Sequence, residues 1–221
     1  MCTFSKRRQM PAKLNNSQVT IEKTPKYFVD METPFRLFKT SPRTKLILVL
    51  RNPITRAISE FLQSQSKLAA NRTRQNQNIA ERFARRLYTK NQTIDVNWPI
   101  IRNGIYYTHL KRWLRYFSLN SSILVVNGEK LIREPFVEMR RVEKFLGIEH
   151  VLKKRHFVFT RRKRNFACIL NPMNTSQVSC LSEQKGREHP KLDQSVMTSL
   201  QEFYEPFNRQ LFSLLNEKPW W

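Results

Sequence analysis

An arginine that closes an apolar run, with a hydroxyl and an amide spaced along the helix behind it, is suited to gripping an anion. Residues 48–61 read LVLRNPITRAISEF. Leu46 to Leu50 form a continuous apolar run, the pattern of a strand buried on both faces of a sheet. Asn52 and Pro53 supply an N-cap and a first helical residue, since proline lacks only an N–H that has no partner there. Arg51 therefore falls at the carboxyl edge of the sheet, where open α/β folds bind their ligands. Ser59 and Gln63 stand one turn apart and share a helix face. The arginine fork can pair a phosphate through two N–H groups, and the serine adds a hydroxyl. The spacing alone fits equally well a solvated strand-end charge and a tolerated surface serine.

Other residue types with chemical potential are scattered. His109, His150, His156 and His189 show no metal-ligand spacing, and no metal is expected. His109, on a helix with Trp113, reads as a packing residue. Cys168 and Cys180 bracket CILNPMNTSQVSC, which has the composition of a hairpin loop. They are either bridged, which suits an oxidising compartment, or two buried thiols. Lys153 to Arg164 carries seven lysines and arginines and no acid, as either a solvated face or a rail for a polyanion.

The elements that must position these residues follow from local patterning. VTIEKTPKYF is a short extended segment turned at Pro25, and a helical stretch covers about Pro34 to Thr40. The strand at 45–50 leads into a helix over Pro53–Ala70, and a surface helix lies around Ile79 to Tyr88. Tyr106, Leu110, Trp113, Leu114 and Phe117 recur at helical spacing, the mark of an amphipathic helix. SSILVVNGEKL is a second β-rich run, and PFVEMRRVEKFLGI is a helix stopped by Gly147. Strand, helix, strand, helix implies a parallel α/β sheet flanked by helices. From Asp193 onward the chain reads as one or two helices closed by KPWW.

Composition bounds the partners. The 221 residues are 40% hydrophobic, with 15 phenylalanines and only 4 glycines, which argues for a packed globule. A net charge of +23 attracts polyanions, whether nucleic acid, anionic membrane or sulfated glycan. Residues 1–18 form a polar lead-in with no apolar run, so the given sequence shows no targeting signal, and nothing in it reaches membrane-spanning length. Asn-X-Ser/Thr sites begin at Asn15, Asn71, Asn91, Asn120 and Asn174. Chance would supply about two from this composition, so the excess favours the secretory route.

TIEKTPKYF, LVLRNPITRAISEFLQ, YYTHLKRWLRYF, VVNGEKLIREPFVEMRRVEKFLGI, the two cysteines and KGREHP occur in the order seen in Golgi heparan sulfate sulfotransferases. Over residues 19–218 the chain most resembles the glucosamine 3-O-sulfotransferases. The resemblance implies a P-loop-like fold that uses 3′-phosphoadenylyl sulfate (PAPS) as donor, over a domain spanning 19–221. Carried over by motif, Arg51 and Ser59 hold the donor's 3′-phosphate, and Lys23 is the catalytic lysine beside the transferred group. Gln63 touches the acceptor saccharide. Lys185, Gly186, Arg187, Glu188 and His189 belong to the loop that closes over the donor, with Lys185 and Arg187 also within reach of the glycan. The resemblance further implies a Cys168–Cys180 disulfide beneath that loop and a Golgi location, with heparan sulfate rather than nucleic acid as partner.

The sequence departs from the family in three places. Members carry, upstream of EKTP, a first strand and a K-G-G-T-R loop that cradles the 5′-phosphate, then a glutamate that serves as general base. Neither occurs in these 221 residues. The family's aromatic residue before the first cysteine is here Ala167, with Phe166 one place earlier. The expected function is sulfuryl transfer from PAPS to the 3-hydroxyl of glucosamine in heparan sulfate. The rivals are an inactive paralogue or fragment that binds heparan sulfate, and a nucleic-acid-binding protein. The last lacks zinc spacing, an RNP-like strand and a helix-turn-helix pair. Without loop and base, the 221-residue chain is expected to bind glycan but not to turn over.

Overall fold

The computed structural model describes residues 19–69, 79–160, 163–182, 186 and 188–221. The polar lead-in and the stretch at 71–78 lie outside the described residues. After a 3-10 turn at Pro25–Phe28, the chain forms α1 (Thr33–Thr40), β1 (Leu46–Leu50), α2 (Pro53–Ala69), α3 (Ile79–Leu87), α4 (Pro99–Arg102) and α5 (Tyr106–Trp113). Next come β2 (Ile123–Asn127), α6 (Gly128–Arg133), α7 (Pro135–Leu146), β3 (Phe157–Thr160), β4 (Lys163–Asn171), β5 (Asn174–Ser179) and α8 (Gln194–Leu215).

β1 and β2 pair in parallel, from Leu46 opposite Ile123 to Leu50 opposite Asn127. The chain between them runs through four helices, the long crossover that a parallel pair requires. β1 is not the central, doubly buried strand that its apolar run suggests. Among the described residues it pairs with β2 alone, and Ile47 and Val49 are 41% and 49% exposed. An unbroken apolar run reports strand propensity but not how many layers cover the strand. By contrast, β2 is buried along Ile123–Val126.

A second sheet, β3–β4–β5, is antiparallel. Its first strand comes from the basic stretch, where the β-favouring run Phe157–Thr160 follows a cluster of lysines and arginine. Lys153, Lys154 and Arg155 ahead of it are exposed. Phe157 packs toward Phe136 of α7, with ring centroids 6.5 Å apart.

Two apolar clusters carry the stability. One joins α2, α3, α4 and α8 through Ile54, Ile58, Phe61, Phe83, Trp98 and Leu200. Phe61, Phe83 and Trp98 meet at centroid distances of 5.4–5.8 Å, in the edge-to-face range that favours aromatic groups. The helix at 79–87 therefore belongs to the core rather than the surface, since Phe83 and Leu87 are 1% and 0% exposed. The other cluster places Leu50, Ile123 and Val125 against Tyr106, Leu110, Trp113, Phe117 and Leu211. The carboxyl-terminal reading resolves into a single 22-residue helix, α8, with Pro206 inside it. Trp220 and Trp221 fold back onto its Phe212. α7 ends where Gly147 takes a left-handed φ of 70°, as the sequence indicates.

His109, on α5, is buried against Phe28 and the end of α4. Its Nε2 lies 3.1 Å from the Arg102 carbonyl oxygen, Arg112 bonds Nδ1, and the Phe28 ring meets its edge at 5.5 Å. Burial lowers its pKa, only partly offset by the Arg102 carbonyl, and the Arg112 charge lowers it further. A histidine held down in this way binds fewer protons folded than unfolded. Stability should therefore be level above the unfolded pKa of about 6.5 and fall as pH drops below it, by up to about 1.4 kcal/mol per pH unit per histidine. His189 is lowered in the same sense. Chemical denaturation between pH 7.5 and 5 should show this slope, and His109→Gln should reduce it. An unchanged slope in the variant would contradict the assignment.

Candidate functional site

The junction after β1 is built as its residue types dictate. Asn52 Oδ1 accepts hydrogen bonds from the Ile54 and Thr55 N–H groups at 2.9 and 3.2 Å, capping α2 at the residue before Pro53. The Asn52 N–H donates to Glu129 Oε1 at 3.1 Å. The first N–H groups of α2 are thus already satisfied by protein, so an anion at this edge must be held by side chains.

Those side chains converge. Ser59 Oγ lies 2.7 Å from His189 Nε2, across 130 residues of sequence. Burial first, and then the nearby Arg51 charge, lower the His189 pKa, so the imidazole is neutral near pH 7. Arg51 is anchored from behind by Glu129, whose Oε1 stands 3.4 Å from Nε. Gly128 makes the approach possible: a Cβ there would lie 2.5 Å from Arg51 Cγ and 2.5 Å from the Leu50 carbonyl oxygen. Tyr106 is buried in the second apolar cluster, its hydroxyl pushed up to about 12 by burial, against the opposing charge of Arg56 and a backbone hydrogen bond from Arg51.

The remaining sequence-derived residues fall into three groups. Gln63 is exposed on α2 one turn beyond Ser59, on the same face. Gly186 has φ of 72°, and a Cβ on it would sit 2.6 Å from the Phe166 ring, so only glycine suits that position. Glu188 is exposed beside His189, whereas Lys185 and Arg187 lie outside the described residues. Lys23 is exposed in the extended run before the Pro25–Phe28 turn, and among the described residues no hydrogen bond or ion pair joins it to Arg51. Its neighbours are clasped, with Thr24 Oγ1 and Tyr27 Oη donating to Glu22 Oε1 at 3.0 and 2.7 Å.

Sequence reasoning missed Glu129. In the parallel register Leu50 faces Asn127, so the residues after each strand meet as well. The signal was the NGE that ends the second β run, but it becomes readable only once the two strands are known to be neighbours. A cavity of about 750 Å³ opens beside the cluster, between the start of α2, residues 189–192, α8 and Trp221. Asn52 and His189 stand in its wall, and its size is in the range of small-molecule sites.

Cys168 and Cys180 form a disulfide at the base of the β4–β5 hairpin, as the family resemblance implies. Closing a loop of this length restricts the unfolded chain by about 3 kcal/mol in the entropic account. The restriction is local, so Cys168→Ser with Cys180→Ser should raise amide exchange across β4, β5 and Gly186 while leaving β1 and β2 protected. Uniform loss of protection in both sheets would show that the bridge holds more than its hairpin.

Known proteins agree with this architecture. The sulfotransferase-domain profile matches residues 5–215. Human heparan sulfate glucosamine 3-O-sulfotransferase 6 is 41% identical over 215 residues, covering 97% of this chain and 60% of that protein. Human heparan sulfate glucosamine 3-O-sulfotransferase 3B1 is 40% identical over 212 residues, covering 96% of this chain and 52% of its own length. Human heparan sulfate glucosamine 3-O-sulfotransferase 5 is 36% identical over 210 residues, covering 94% and 58%. The chain thus spans between half and two thirds of the length of these relatives. The crystal structure of a sulfotransferase from Alicyclobacillus acidocaldarius superposes with a TM-score of 0.56 at 19% identity, over 87% of this chain and 63% of that one, a likeness of fold. With helices around a parallel strand pair and a profile match that runs almost end to end, the chain belongs to the sulfotransferase family.

Proposed function

We propose that this chain carries the 3′-phosphate half of the donor site, and the acceptor-facing helix, of a heparan sulfate glucosamine 3-O-sulfotransferase. The reaction is attack of the glucosamine 3-hydroxyl oxygen on the sulfur of PAPS. The bond from sulfur to the bridging oxygen breaks, the proton passes to a carboxylate base, and adenosine 3′,5′-bisphosphate leaves. The observation that carries this reading is the Ser59–His189 contact at 2.7 Å, within electrostatic reach of Arg51 at the carboxyl edge of β1. It joins a fixed cation, a hydroxyl and a neutral imidazole, a set that fits a phosphate: the arginine for charge and the other two for hydrogen bonds.

Within this reading, Arg51 and Ser59 hold the 3′-phosphate, and Gly186, Glu188 and His189 border it with Lys185 and Arg187. Gln63 faces the saccharide. Lys23 offsets charge developing on the bridging oxygen. The 5′-phosphate loop and the base come from a segment of the K-G-G-T-R type, which these 221 residues do not contain. The net charge of +23 and the exposed Lys153–Arg155 favour a second reading, heparan sulfate binding without catalysis.

One experiment separates the two. The 221-residue chain, and the same chain joined to an upstream family segment bearing loop and glutamate, are assayed for transfer of radiolabelled sulfate from PAPS to heparan sulfate. Transfer by the joined form, with glycan binding alone by the short form, is the expected result. Glycan binding without transfer in either form would leave the non-catalytic reading standing.

A further inference from the structure

We propose that Glu129 is a positioning residue that aims the Arg51 guanidinium at the 3′-phosphate by taking its back edge. The inference rests on the donor-site reading above. Glu129 opens α6, directly after Gly128, and its Oε1 accepts from two donors on the neighbouring strand end. The Asn52 N–H, at 3.1 Å, fixes the carboxylate to the backbone, and Arg51 Nε, at 3.4 Å, is then held by a group that cannot drift. The Arg51 stem lies across Gly128, where any Cβ would collide with Cγ, so glycine is what leaves room for it there. The pair is neither buried nor free, with the two side chains 30% and 23% exposed.

The choice of nitrogen matters. Nε faces back toward the strand ends, and the two terminal nitrogens are the fork that grips a phosphate. Among the described residues no acceptor engages either terminal nitrogen of Arg51. The Arg51 charge lowers the His189 pKa, so it acts within electrostatic reach of the imidazole that is bonded to Ser59. A carboxylate so near an anion site also repels the anion, so the two effects have opposite signs and the experiment reads which one wins. Orientation should win, because the carboxylate sits behind the guanidinium while the fork lies between it and the phosphate.

The test is calorimetric binding of adenosine 3′,5′-bisphosphate and of adenosine 5′-phosphate, which lacks the 3′ group. Glu129→Ala should weaken bisphosphate binding about tenfold, the loss of roughly one bond to a charged group, and leave the 5′-phosphate unaffected. Glu129→Gln should stay within about twofold of the parent, because an amide oxygen accepts the same two N–H groups. If Glu129→Ala does not fold, Glu129→Asp, one methylene too short to reach both donors, carries the same expectation. The double variant with Arg51→Ala should bind no more weakly than Arg51→Ala alone. Unchanged or tighter binding by Glu129→Ala, or an equal loss in Glu129→Gln, overturns the proposal. A parent chain that does not prefer the bisphosphate overturns the donor-site reading beneath it, and the proposal with it.

Discussion

Arg51→Ala is expected to lower the affinity for adenosine 3′,5′-bisphosphate by about 10²–10⁴-fold, the loss of two charge-assisted hydrogen bonds at about 1.5–3 kcal/mol each. The N–H groups at the start of α2 cannot substitute, because Asn52 Oδ1 already accepts from Ile54 and Thr55 and Glu129 accepts from Asn52. Removing the arginine also leaves the Glu129 carboxylate facing the anion with no cation between them. Arg51→Lys should recover part of the charge but not the two-pronged geometry, and so fall between the two. Calorimetry with adenosine 5′-phosphate supplies the control, since its binding should change little. Equal losses for both nucleotides would show that Arg51 supports the fold or the 5′ side rather than the 3′-phosphate.

Lys23→Ala should reduce sulfate transfer by the loop-bearing form by about 10²–10³-fold, the usual effect of removing a group that stabilises transition-state charge. Bisphosphate binding should move by no more than about threefold, since in the proposed reading the lysine acts on charge that appears only as the sulfur–oxygen bond breaks. An exposed lysine can serve in this way because its turn is fixed: Glu22 ties Thr24 and Tyr27 on either side of Pro25. Lys23→Arg keeps a cation but not its compact ammonium, and should restore only a fraction of the rate. A variant that loses binding and transfer in equal proportion would assign Lys23 to donor affinity rather than to the chemical step.

The two expectations differ in how far the sequence alone supports them. The junction around Arg51 was legible because its causes are local: an apolar run, an asparagine cap and a proline act within one turn of chain. The stop at Gly147 and the hairpin between the two cysteines were readable for the same reason. Lys23, Gln63 and the residues around Gly186 came from resemblance to a family, because nothing in their own spacing distinguishes them from surface positions.

Contacts that no local rule determines were decided by tertiary structure. Ser59 meets His189 because α2 and the segment before α8 are packed over a shared core, 130 residues apart in sequence. Glu129 reaches Asn52 because β1 and β2 pair in a register that aligns their ends, and register depends on burial across the whole strand pair. Phe83 and Leu87 look like the apolar stripe of a surface helix until Phe61 and Trp98 enclose them. Ile47 and Val49 read as buried yet stand exposed, because hydrophobicity sets the tendency of a segment to be covered while the elements around it determine whether it is.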